Sequence, residues 1–180
     1  KMTKKRANRK AKSKAVSTIR NYGFNPKFVK FEPKAYLAGA LPMVVINESG
    51  QYDDFLPLYE PQAEKYETWG CTVWGSQNQM EIYFKKVFSF EPNYSERFTY
   101  INAGIGVGGA NPQNAYESIR KIGVIDQSFL PVPNTLAEFN TPKPMEQKYL
   151  DEAKKWLNQY ELKHEWLQTP TKEAIKVAKK

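Results

Sequence analysis

The chain has 180 residues, 41% of them hydrophobic and 14% aromatic, which suffices for one domain with a real core and a separate tail. Its single cysteine, Cys71, excludes an intrachain disulfide framework and a cysteine-rich zinc site; no apolar run approaches the roughly 20 residues that cross a bilayer, and the first residues lack the apolar core of a secretory signal. The net charge of +8 is carried by Lys1, Lys4, Lys5, Arg6, Arg9, Lys10, Lys12 and Lys14, so the rest of the chain is formally neutral and any electrostatic partner, nucleic acid or an acidic protein surface, is expected at residues 1–14. A soluble protein with no membrane partner, metal or cofactor is the expectation.

Residues 1–20 read as a basic tail and residues 21–49 as an extended arm, in which prolines and aromatics alternate from Tyr22 to Pro42. Leu41 to Ile46 is a short apolar strand candidate closed by the turn residues Asn47-Glu48-Ser49-Gly50. The main unit is expected over 50–180. It begins with Asp53-Asp54, read as capping or solvating carboxylates, and a loop containing Gln62. The spacing of Val73, Met80, Phe84 and Val87 predicts a helix from Cys71 to Phe88, buried along one face. An apolar stretch, Phe98-Thr99-Tyr100-Ile101, precedes the glycine run Gly104 to Gly109. Asn111 as cap and Pro112 at the first helical position open a second helix that passes Ala115 and Ile119 and ends at Gly123; Val124-Ile125 is then extended. A third helix is predicted from about Pro144 to Tyr160, with Met145, Tyr149, Ala153, Trp156 and Leu157 on one side, and a fourth from Thr169-Pro170. The chain opens on Lys1-Met2 and stops inside a helical pattern at Lys180, and both ends read as cuts.

Cys71 follows the turn Thr68-Trp69-Gly70 and stands at a helix start, where orphan N–H groups and the positive dipole end favour a thiolate. The alternative for such a residue is a small buried hydrophobe. The run Gly104-Ile105-Gly106-Val107-Gly108-Gly109 satisfies GxGxxG and is followed at a suitable distance by Asp126. The cap Asn111 lies beyond the last glycine, so a pyrophosphate would miss the helix N-terminus, and no alternation of strands and helices follows. A turn that admits another backbone is the other reading. His164, the only histidine, sits between charged neighbours and reads as an exposed surface residue; with no second histidine or cysteine near it, metal binding is not indicated. Trp69 and Trp74 read as core or cleft-wall residues.

Three blocks, in order, resemble the papain-like cysteine peptidase family, particularly its divergent bacteriophage and bacterial members. They are Glu60-Pro61-Gln62 with Glu67-Thr68-Trp69-Gly70-Cys71-Thr72-Val73-Trp74; Asn93-Tyr94-Ser95-Glu96-Arg97-Phe98; and Gly108-Gly109 with Ile122-Gly123-Val124-Ile125-Asp126 to Pro131. The resemblance implies an α+β protein represented here by the mainly helical half-domain, with a short N-terminal extended segment and the β half-domain missing. It implies Cys71 as nucleophile, Gln62 with the Cys71 N–H as the oxyanion hole, and Gly108, Gly109 and Trp74 as the substrate-binding side for a peptide or protein. The chain departs from the family pattern in the longer gap from Gln62 to Cys71, in Thr72 where the family has an aromatic residue, and in His164, which comes too early to be the family's histidine. The catalytic histidine and asparagine are therefore expected on a complementary C-terminal segment, and the chain alone is expected to be inactive. The alternative is a catalytically inactive structural or interaction protein of a phage particle, cytoplasmic or virion-associated, whose basic tail binds nucleic acid or an acidic partner.

Overall fold

The computed structural model describes residues 53–164, together with the backbone of two short strands, Tyr36–Leu37 (β1) and Glu165–Trp166 (β2). The basic tail, the arm apart from β1, the strand expected at Leu41–Ile46 and the helix expected from Thr169 lie outside the described residues. The two strands pair in parallel, Tyr36 opposite Glu165 and Leu37 opposite Trp166. Among the described residues between them come a 3-10 turn at Asp53–Phe55, then α1 (Cys71–Phe88), α2 (Glu96–Asn102), α3 (Pro112–Ile122), α4 (Leu136–Phe139) and α5 (Gln147–Leu157).

α1 is the central helix and packs on both α2 and α3; α3 in turn packs on α5. It begins without a side-chain cap, at Gly70, whose backbone carbonyl accepts from Val73 N at 2.7 Å. Glycine is required there by space, since a Cβ would lie 2.6 Å from the Trp74 ring. Val73, Met80 and Phe84 are buried as their spacing predicts. Val87 is not: it is 44% exposed, because the last turn of α1, with Tyr83 and Phe88, stands outside the core that Phe84 closes.

The apolar stretch before the glycine run lies in a helix, α2. Ser95 caps α2, accepting from Phe98 N at 3.2 Å while its own hydroxyl donates to Leu130 O at 2.6 Å, and Phe98, Thr99 and Tyr100 are all buried. A helix in this position removes the strand that a dinucleotide-binding turn needs. α3 is bounded as its sequence predicts: Asn111 Oδ1 accepts from Gln113 N at 3.0 Å, Pro112 opens the helix, and Gly123 (φ 92°) ends it. The third expected helix is shorter than read, starting at Gln147 and ending at Leu157. Met145 precedes it and packs against two clusters of the core, while Ala153 and Trp156 are its buried residues.

One cluster of that core gathers Val73, Trp74, Tyr100, Ile101, Ile105, Ala110, Ala115 and Phe139 around the first half of α1. A second joins Met80, Phe84, Tyr94, Ile119, Val124 and Trp156 around its second half, where the Trp156 indole donates to the Tyr94 hydroxyl at 3.0 Å. Arg97 closes the structure from α2 by donating to the carbonyls of Pro131, Glu138, Phe139 and Thr141, which ties the α4 segment to the rest. No helix among the described residues is long and apolar enough to cross a membrane.

Candidate active site

Cys71 is the first residue of α1 and is half-buried. As in any first helical turn, its backbone N–H has no intrahelical acceptor, so it points outward as a donor. The turn before it is tightly held. Thr68 Oγ1 accepts from Gly70 N at 3.2 Å, and Glu67 Oε1 accepts from Trp69 N at 2.7 Å, with Trp69 in the left-handed region at φ 56°. Gln62 joins the same turn, its Nε2 donating to Glu67 Oε1 at 3.3 Å.

Glu67 therefore links Gln62 to the start of α1, and it also acts on the thiol. Burial pushes the Cys71 thiol above its ordinary pKa, the Thr72 N–H pulls it back, and the Glu67 carboxylate raises it further. Desolvation and a nearby negative charge outweigh the favourable helix end. Cys71 stands at the helix start, as the sequence predicts, and burial together with Glu67 biases its thiol against ionisation.

The glycine loop returns to the same end of α1. Its anchors, Ile105 and Ala110, lie in the cluster that contains Val73 and Trp74. Gly108 and Gly109 have φ of 95° and 74°, conformations open to glycine, and a Cβ on Gly108 would meet nothing within 4 Å. Gly109 N donates to Gly106 O at 3.0 Å, so this N–H closes the loop's own turn instead of offering an edge to a peptide. Trp74 is placed as core, 7% exposed and stacked on Phe139 with ring centroids 6.2 Å apart, which leaves it no open face for a substrate.

His164 is not the exposed residue its charged neighbours suggest. Its side chain is 9% exposed, stacked on Tyr116 and 3.5 Å from Glu117 Oε1, because the chain after α5 folds back onto α3. The imidazole thus belongs to α3 rather than to the start of α1. Glu117 also holds Arg120 and Lys121 at 2.7 and 2.8 Å, and these cations draw its carboxyl down to about 2.

Two groups escaped the sequence reading. One is Glu67, whose effect depends on a turn that only the fold defines. The other is a set of carboxyls beyond the second turn of α1: Glu60, Glu81 and Glu91 line a cavity there, and buried Glu96 interacts with Glu60 and Glu81. Its signal was present, since Glu81 falls on the same helical face as Val73, Met80 and Phe84, where a charge is out of place. Among the described residues no group of three or more His, Cys, Asp or Glu is arranged to hold a metal ion. A scan of protein-family models, a search of curated proteins and a search of solved structures found no match to this chain.

Proposed function

We propose that the chain is the helical half of a papain-like cysteine peptidase, in which the Cys71 thiolate attacks a peptide carbonyl. The observation that carries this reading is the seat of Cys71, half-exposed at the first position of the 18-residue central helix, with Gln62 and the loop of Gly108 and Gly109 at the same end. The Cys71 N–H and the Gln62 carboxamide are the donors for the developing oxyanion, Gln62 turning from Glu67 to do so. Deprotonating the thiol and protonating the leaving amine need a base that becomes an acid. With His164 engaged by Tyr116 and Glu117, that group comes from a complementary segment carrying the histidine and its asparagine partner.

The raised thiol pKa favours a second reading, an inactive structural or interaction module in which Cys71 is a small half-buried side chain. Labelling by a peptide bearing a thiol-directed electrophile, near neutral pH, separates the two. The peptidase reading expects labelling at least tenfold faster than by iodoacetamide after correction for intrinsic reactivity, lost in Cys71→Ser, with no hydrolytic turnover by this chain alone. Equal corrected rates for the peptide and the small reagent would sink it and leave the interaction module.

A further inference from the structure

The segment between the 3-10 turn and α1 is tied down at both ends. At the near end Lys85 Nζ donates to Leu56 O at 3.2 Å and Lys86 Nζ lies 4.5 Å from the centre of the Phe55 ring. At the far end Lys65 Nζ donates to Asn134 Oδ1 and Tyr66 OH to Pro133 O, both at 2.9 Å. Between these anchors Leu58 and Tyr59 are 70% and 85% exposed, and Gln62 bonds back to Glu67 within the segment. Glu60 is the side chain of this stretch that bonds to the helical body: its Oε1 accepts from Asn93 Nδ2 at 3.0 Å, and its carboxyl meets that of Glu96.

Glu96 is the first residue of α2 and is 1% exposed. No N–H or O–H of another residue reaches its oxygens; what faces them is the Glu60 carboxyl. Two carboxyls hydrogen-bond to each other only when one of them carries a proton, which then lies in a strong O–H···O⁻ bond. With both ionised, two like charges would touch in a place that water hardly enters. The surrounding groups do not relieve this. From α1 come Glu81, whose Oε1 takes the Tyr94 N–H at 3.0 Å, and Lys85, which Glu91 holds at 3.0 Å. From the connection into α2, Asn93 gives Glu60 one neutral N–H, and Asp126, acting on Tyr94, adds negative charge.

We propose that the proton shared by Glu60 and Glu96 is the catch of a pH-sensitive latch. While it is bound, residues 57–64 are fastened to the start of α2; when it leaves to water, two carboxylates remain, repel each other, and release the segment between its anchors. Burial and the contact with Glu60 raise the Glu96 carboxyl well above the ordinary range, so the catch holds in mild acid. Glu81, raised to about 7, ionises near neutrality and adds a charge beside the pair. The latch is therefore shut at low pH and opens as pH rises past neutrality. Because the anchors at Leu56, Lys65 and Tyr66 lie outside the pair, the opening is local and precedes global unfolding. It stands whether or not Cys71 is a nucleophile.

Subtilisin cleavage of the full chain, with the cut bonds identified by mass spectrometry, tests the latch. The initial rate of cutting within residues 57–64, divided by that of a free peptide of residues 53–68 at the same pH, measures protection; cutting within α2, where Phe98 to Ile101 are buried, reports global opening in the same digest. Protection of the loop should fall about tenfold or more from pH 6 to pH 8.5 while α2 is still intact. In Glu60→Gln and in Glu96→Gln an amide donates to the remaining carboxylate without a proton, so protection should stay high at pH 8.5. Glu60→Ala, with no carboxyl to share, should be open already at pH 6. Equal wild-type protection at the two pH values, loop and α2 cuts that appear together, or a decline that persists in both Gln variants would overturn the proposal.

Discussion

The carboxylate of Glu67 fixes the turn before α1 through Trp69 N, takes the amide of Gln62, and raises the pKa of Cys71. Removing its charge must then favour the thiolate. In Glu67→Gln, which retains an acceptor for Trp69 N, alkylation of Cys71 by iodoacetamide should reach half its limiting rate at lower pH and run about two- to fivefold faster at pH 7.5, the scale of one screened surface charge. An unchanged pH profile would mean that burial alone sets the thiol. Cys71 shows what a sequence can and cannot disclose about a site. Its place at a helix start was legible, because Gly70 and the apolar spacing behind it are local facts. The sign of its pKa shift was not, because it arises from desolvation and from a carboxylate brought close by the turn. Trp74 is a similar case: an aromatic one turn after the thiol fits a cleft wall or a core, and Phe139, distant in sequence, makes it core.

Among the elements, the junction of α3 with α5 depends on a single residue. Gly123 ends α3 at φ 92°, with its N–H on Ile119 O at 2.9 Å, and a Cβ there would lie 2.4 Å from the Ala153 carbonyl oxygen. Backbone strain and a clash with backbone act together, and neither is relieved by a rotamer change. Gly123→Ala should cost about 3 kcal/mol or more in urea unfolding. Gly104→Ala, also at positive φ but with open space around its Cβ, isolates the strain and should cost about 1–2 kcal/mol. Equal losses in the two variants would show that the contact with Ala153 is unimportant. α3 was readable from sequence for the same local reasons, Asn111, Pro112 and Gly123 being cap, first residue and stop. α2 was not, since Phe98-Thr99-Tyr100-Ile101 is too short to show a helical period, and its helicity comes from burial of all these side chains and from the Ser95 cap. The end of α1 was misjudged at Val87 because periodicity continues along a helix after the core has stopped.

For the whole molecule, the carboxyls divide into two groups with opposite consequences for pH. Glu81 is raised from 4.5 to about 7, chiefly by burial, and Glu96 is raised in the same direction by burial and by Glu60. Between 4.5 and 7 the folded chain therefore holds protons that the unfolded chain has released, and stability falls as pH rises. From Glu81 alone the loss across this window is about 3 kcal/mol, and Glu96 adds to it. Glu117 acts the other way: Arg120 and Lys121 lower it to about 2, so its contribution is complete above the ordinary carboxylate range and disappears as the pH falls through about 2. The fold should thus be most stable near pH 5, weaker at pH 8 and weaker again at pH 2. Urea midpoints measured at pH 5, 6, 7 and 8 should decline steadily. In Glu81→Gln combined with Glu96→Gln the decline should flatten, because an amide reproduces the neutral acid at every pH; a wild-type midpoint that rises from pH 5 to 8 would contradict neutral burial of these groups.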